Sequence, residues 1–376
     1  MASSGHATLR RVVLFIGQLG FGGTETQVVL LARELRLRGI QVDVVLLVGG
    51  GPHEAGLRAA GIEVHHLVRR RRGRATVMQR VWLFARLVRL LRRLRPDVLH
   101  AFLMECYMPA APAALLARVP VLVAGRRSLS DILRDRWCFK LGSAMVRITD
   151  HVVANAVAVA EDARTVEGVP PQKLSVIYNG LQDSAFDPVE PAGIDTGLPV
   201  VLCLARLRPE KGHGFLFDAA ALLARQGRPI TVVLVGDGPE EDRLRERANA
   251  LGLDIRFMGA MTDSRGMLDR ADIVVSPSVS EGLSNSVMEA MARGRPIVAT
   301  SVGGTPELVE DRGVLVPPAD PVALSQAVAR LLDDPELAAS LGAASRLWAS
   351  KNLDVTTMVE EHMGLYHRLL EDRCAT

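Results

Sequence analysis

Short apolar runs that read as β-strands alternate with helix-period segments along almost the whole chain, and the alternation stops once and then restarts. Runs of this kind fold as stacked βα units, because each crossover helix covers one face of a parallel sheet. The first series is Val12 to Ile16, Val42 to Val48, Glu63 to Leu67, Val98 to Ala101, Val121 to Ala124, His151 to Ala154 and Ser175 to Tyr178. The second is Val200 to Leu204, Thr231 to Val235, Ile255 to Met258, Ile273 to Ser276, Ile297 to Thr300 and Val314 to Val316. Between them, Asn179-Gly180, Asp187-Pro188, Pro191-Ala192-Gly193 and Gly197 form a turn-rich stretch without apolar periodicity. The expected organisation is therefore α/β, with two Rossmann-like domains at 1–180 and 199–350, a linker at 181–198, and a C-terminal helix at 351–376 capped by Asn352 or Asp354. At 376 residues and 48% apolar, each half can bury its own core, which excludes a disordered chain.

Charge divides as the strands do. Residues 1–190 carry 26 Lys and Arg against 16 Asp and Glu, whereas the remainder carries 19 against 26. A basic first half suits an anionic surface or substrate. Its densest part runs from Arg69, Arg70, Arg71, Arg72 and Arg74 into a helix pattern with Val81, Trp82, Phe84, Val88, Leu91 and Leu94 amid arginines up to Arg95. Such a segment reads either as a solvated basic face on a core-packed helix or as an element lying in an anionic membrane interface. Nucleic acid is disfavoured, because only 4% of residues are aromatic and no nucleic-acid motif is present. The polar Met1 to Thr8 and the short run that follows predict neither a signal peptide nor a membrane span. Cys106, Cys138, Cys203 and Cys374 have no disulfide or zinc spacing, which fits a reducing cytoplasmic compartment and no metal site.

Candidate chemistry falls where strands meet helices. Gly17, Gly20, Gly22 and Gly23 lie between the first strand and a helix from about Glu25, a turn that lets backbone approach an anion. Their spacing is neither G-x-G-x-x-G nor a P-loop, and the second strand ends Leu47-Val48-Gly49 without the acidic residue that would hold a ribose. In the second half, Arg206 and Lys211 follow a buried strand and suit a diphosphate, although both could be plain surface charges. Gly236-Asp237-Gly238-Pro239 forms another strand-to-helix turn. Glu281 precedes, and Glu289 lies within, a helix expected over Ser286 to Arg293 with Ser284 or Asn285 as N-cap. Carboxylates accept paired hydrogen bonds from vicinal sugar hydroxyls, and a helix start offers N–H groups to phosphate.

Together these motifs resemble the retaining glycosyltransferases of family 4, which have the two-domain GT-B fold with a central cleft. Gly22-Gly23-Thr24-Glu25, Val176-Ile177-Tyr178-Asn179-Gly180 and Val302-Gly303-Gly304-Thr305-Pro306-Glu307 are similar to that family too, so the resemblance spans nearly the whole chain. It implies an acceptor-binding first domain, a donor-binding second domain, and a C-terminal helix returning to the first. Arg206 and Lys211 would hold the donor diphosphate and Glu289 the ribose, with Glu281 on the donor sugar. Gly236, Asp237, Gly238, Leu283, Ser284, Asn285 and Ser286 would complete the donor site, and Gly22 and Gly23 would let the first domain close over the phosphates. No cofactor or metal is implied, since the two cations take the electrostatic role.

The family often has H-x-H after the fourth strand, whereas here the chain reads His100-Ala101-Phe102. His100 is a catalytic candidate against a structural reading as a hydrogen-bonded core histidine. Glu105 and Arg126, with Arg127 and Ser128 beside it, are candidates for orienting the acceptor. The expected function is hexosyl transfer from a UDP-, GDP- or ADP-linked sugar to a hydroxyl of a glycan or lipid-linked envelope precursor, at the inner face of a membrane. A sugar-nucleotide epimerase, a disaccharide synthase and a non-catalytic nucleotide-sugar-binding protein are the alternatives.

Overall fold

The computed structural model describes residues 9–20, 22–68, 76–130 and 144–375, with Ala375 in backbone only. Met1 to Thr8, Arg69 to Arg72, Arg74 and Cys138 lie outside the described residues. The chain divides into two units: residues 1–180 with 355–376, and residues 181–354.

The first unit comprises β1 (Arg11–Ile16), α1 (Gly23–Leu37), β2 (Gln41–Val48), α2 (Glu54–Ala59), β3 (Glu63–Val68), α3 (Val77–Leu94), β4 (Val98–Phe102), α4 (Met104–Ala117), β5 (Val121–Arg126), β6 (His151–Ala154), α5 (Val157–Val166) and β7 (Leu174–Val176). Its strands form one parallel sheet in the order β3-β2-β1-β4-β5-β6-β7. Val12, Leu14 and Ile16 of β1 enter one core layer while Val13 and Phe15 enter the other, which is why a strand covered on both faces reads as an unbroken apolar run.

The second unit comprises β8 (Val200–Leu204), α6 (His213–Arg225), β9 (Thr231–Val235), α7 (Glu241–Leu251), β10 (Ile255–Phe257), α8 (Arg265–Arg270), β11 (Ile273–Ser276), α9 (Asn285–Ala292), β12 (Ile297–Thr300), α10 (Thr305–Val309), β13 (Val314–Val316), α11 (Pro321–Asp333) and α12 (Pro335–Asn352). Its parallel sheet has the order β10-β9-β8-β11-β12-β13. Residues 181–198 pack with this unit: Leu181 N–H donates to Leu353 O at 2.7 Å, and Arg265 Nη1 donates to Ser184 O at 2.9 Å.

The last helix, α13 (Val355–Ala375), returns to the first unit. Val355, Met358, Val359, Leu365, Tyr366 and Leu370 complete the core layer that α1 and β1 begin. Where the chain leaves that unit, Gln27 clamps Gly180 from both sides, donating to its carbonyl and accepting from its N–H at 2.9 Å each. A Cβ at Gly180 would lie 2.7 Å from Val355 Cα, so the glycine is what lets exit and return pass each other.

Candidate active site

In the second unit β8 and β11 are neighbours, but the connections after them lead to opposite sides of the sheet. Parallel sheets open a crevice at such a switch point, outside the strand C-termini, because the flanking loops diverge there. The loops after β8, β9, β11 and β12 meet at this place, and glycines set how closely. Gly236 has φ +147°, and a Cβ there would lie 2.0 Å from Ala205 O; at Gly238 it would lie 2.3 Å from Leu207 O. Leu207 N–H donates to Asp237 O at 2.8 Å, so the Gly-Asp-Gly turn braces the segment carrying Arg206. Asp237 itself is exposed. The β8 and β11 loops are joined by Val279 N–H to Glu210 O at 2.9 Å, and the β11 and β12 loops by Gly304 N–H to Gly282 O at 2.7 Å.

The charges sit on this frame. Lys211 ends a single 3-10 turn, Pro209–Lys211, and its Nζ lies 2.5 Å from Glu281 Oε2. Arg206 is half-buried and has no side-chain partner among the described residues. Ser284 is the N-cap of α9, accepting from Val287 N–H, so the first turn of the helix starts in the crevice with Asn285 and Ser286 half-buried. Leu283 is buried and can offer a ligand only its backbone. One turn into α9, Glu289 is pushed up to about 7, chiefly by burial of its carboxyl, with the Asp263 charge adding and the Ser264 hydroxyl opposing. Ser264 Oγ donates to Glu289 Oε2 at 3.3 Å. Sequence reasoning missed Ser264; its only local signal is the polar Thr262-Asp263-Ser264 turn after a strand. Arg206, Lys211, Glu281, Ser284 to Ser286 and Glu289 thus share one edge of one sheet.

The first unit has its own switch point between β1 and β4. Gly22 is the N-cap of α1 and Gly23 its first residue. Glu105 is exposed in the first turn of α4, and a Cβ at Gly17 would lie 2.2 Å from its Oε1, so Gly17 makes room for that carboxylate. The turn that delivers it is strained: Leu103 has φ +67° and ψ +155°, a region that side chains disfavour and that clusters at functional sites.

Two candidates from the sequence lie in the interior of the first unit. His100 lies inside β4 with no exposure, its Nδ1 2.7 Å from Tyr366 Oη and its ring stacked on Phe102 at 4.1 Å, which favours the structural reading of this histidine. Burial, with the nearby His362 and Arg127, holds it well below the usual imidazole range, so it is a neutral core residue. Arg126 is buried as well. Its guanidinium makes a buried fork with Glu167, at 2.7 to 3.1 Å, and lies 4.4 Å over the Tyr107 ring. Arg127 beside it is buried too, donates to Asn179 Oδ1 at 2.5 Å, and is lowered to about 10 by desolvation.

Residues 21–184 match the family model described as Glycosyltransferase Family 4, and residues 198–334 the one described as Glycosyl transferases group 1. The GDP-mannose-dependent alpha-(1-6)-phosphatidylinositol monomannoside mannosyltransferase of Mycolicibacterium smegmatis is 36% identical over 65% of this chain and 70% of its own. The chain is a family 4 glycosyltransferase. A shorter match, 34% identical over 46% of either chain, joins this glycosyltransferase to the alpha-D-kanosaminyltransferase of Streptomyces kanamyceticus. Its GT-B fold is shared with Anabaena Alr3699/HepE, solved with UDP and glucose, at a TM-score of 0.83 and 24% identity over 95% of this chain and 99% of that one.

Proposed function

We propose that this glycosyltransferase moves a hexosyl unit from a nucleotide-diphosphate sugar to a hydroxyl acceptor, with retention at the anomeric carbon and without a metal ion. The observation that carries the reading is the gathering of Arg206, Lys211, Glu281, Glu289 and the start of α9 on the loops of one switch point. As the anomeric C–O bond breaks, its electron pair leaves with the diphosphate. Arg206, Lys211 and the α9 N–H groups meet the charge that accumulates there, and fixed donors aimed at developing charge supply a large share of catalysis. Glu289, in its neutral form, can both donate to and accept from ribose hydroxyls. Glu281 orients the sugar and offsets positive charge at the anomeric carbon. The acceptor oxygen forms the new bond, and its proton passes to the departing phosphate.

The acceptor in this reading is a lipid-linked or envelope glycan precursor, held by the first unit beside Glu105. The Mycolicibacterium smegmatis relative, named for a phosphatidylinositol-based acceptor, supports that choice, and so does the basic first half of the chain. Among the described residues no helix is long and apolar enough to cross a membrane, so the proposed association with the inner face is peripheral.

The test is release of nucleoside diphosphate from a panel of UDP-, GDP- and ADP-sugars by the parent, Arg206→Ala and Lys211→Ala. One donor turned over by the parent and by neither variant is expected. A parent that neither binds nor hydrolyses any of them would overturn the reading.

A further inference from the structure

The exposed face of α3 changes character along its length. Leu87, Val88, Leu91 and Leu94 turn inward to the core. Outward, Met78, Trp82, Arg86, Arg89 and Arg93 recur at intervals of three and four, which places them in one stripe on the opposite side. The first two turns of the helix expose large apolar side chains, Val77 at 78%, Met78 at 80%, Val81 at 63% and Trp82 at 54%, beside the polar Gln79 and Arg80. The rest of the stripe is cationic, beginning with Arg86, whose guanidinium lies 5.3 Å over the Trp82 ring.

The cationic part borders an open cleft of about 1060 Å³ along β3, the free edge of the sheet, with Arg58 of α2 on its other wall. Arg58 and Arg86 donate to the edge carbonyls of Val64 and Leu67, at 2.8 and 3.0 Å. That guards the edge against another strand. Arg89 and Arg93 have no side-chain partner among the described residues, and Glu54, which takes His66 at 2.8 Å, is the carboxylate in the cleft lining. A solvated basic face accounts for the arginines but not for four large apolar side chains left in water ahead of them.

We infer that this stripe docks on an anionic lipid bilayer, with Val77, Met78, Val81 and Trp82 entering the headgroup boundary and Arg86, Arg89 and Arg93 meeting lipid phosphates. Charge complementarity together with an apolar tip selects the bilayer, because a membrane interface takes both halves at once. Because α3 runs antiparallel to its neighbouring strands, its inserting end lies at the strand C-terminal edge of the unit, where Glu105 and the Gly17 turn also lie. The inference rests on the peripheral membrane association proposed above and assigns it to these residues.

Flotation of the full chain with phosphatidylcholine vesicles, with and without phosphatidylglycerol, tests it. The parent should float only with the anionic vesicles. Arg89→Gln/Arg93→Gln and Met78→Ser/Trp82→Ser should each lower partitioning by about tenfold or more. Trp82→Phe should remove a vesicle-induced blue shift of tryptophan emission. All these positions are exposed, and circular dichroism checks that the variants fold. A parent that stays at the bottom of the gradient overturns both the assignment and the membrane association. Variants that float as the parent does overturn the assignment alone. Nucleotide release from the donor sugar, measured on the same samples, reports separately on glycosyl transfer.

Discussion

Lys211 Nζ and Glu281 Oε2 lie 2.5 Å apart across the β8–β11 switch point, so the cation proposed for the diphosphate and the carboxylate proposed for the sugar neutralise each other directly. A donor entering between them must exchange this pair for phosphate and hydroxyl contacts. Glu281→Gln frees Lys211 and removes the negative charge. Binding of the nucleoside diphosphate should be retained or tightened while kcat falls by about 100-fold or more. Lys211→Ala should weaken both. Calorimetric titration with turnover on the same samples separates them, and full turnover by Glu281→Gln would end the assignment.

Glu289 gives a pH signature. Its folded pKa of about 7 lies above the ordinary 4.5, so between those values the native chain holds a proton that the unfolded chain has lost. Stability contributed by this site therefore falls as pH rises from about 4.5 to about 7, at up to about 1.4 kcal/mol per pH unit, and is level above that. Glu289→Gln should abolish this slope. Urea unfolding of parent and variant at pH 5 and pH 7.5 makes the comparison, and equal differences for both chains would contradict the burial argument.

The buried histidines act in the opposite sense. His100 is held well below its ordinary value, and His362, whose Nδ1 donates to Met358 O at 2.7 Å, is lowered to about 3. The unfolded chain takes up protons below about pH 6.5 that the native chain refuses, so stability is lost as pH falls below that value, by about 1.4 kcal/mol per unit for each imidazole. His362→Leu should shallow this acid limb and leave kcat at pH 7.5 within about twofold, since the side chain is buried in the first unit, whereas Arg206, Lys211, Glu281 and Glu289 belong to the second.

Gly303 is a backbone requirement of the site. It has φ +52°, and a Cβ would lie 1.8 Å from Glu281 O. Gly303→Ala must move the loop that carries Glu281. A stability loss of about 1–3 kcal/mol is expected, together with loss of turnover, whereas Gly227→Ala, also at positive φ but with nothing near its Cβ, should keep turnover.

The strands were legible because a strand buried on both faces must be apolar at nearly every position, as Val12 to Ile16 and Val200 to Leu204 are. The positions of the loop charges were legible for a related reason: Lys211 and Glu281 each stand before a glycine in the polar stretch that follows an apolar strand. What local pattern could not reveal was the partner of a polar residue. His100 looked like a strand-end histidine because Tyr366, its partner, is 266 positions away on a helix that folds back. Arg126 looked available because Glu167 stands 41 positions on. Ser264 shows only as part of a polar turn until α9 brings Glu289 beside it.

The return of α13 also sets the order in which the molecule can be assembled. Leu181 and Leu353 are joined by a backbone hydrogen bond, so the middle of the chain closes on itself and can fold as soon as it has been synthesised. The first unit cannot finish in the same way. The layer over β1 and α1 needs Val359, Leu365 and Tyr366, which are translated after the whole of the second unit, so Leu14, Val28 and Leu31 stay uncovered on that side until then. Loss of α13 would therefore act as a folding defect of the unit that contains β1 and α1.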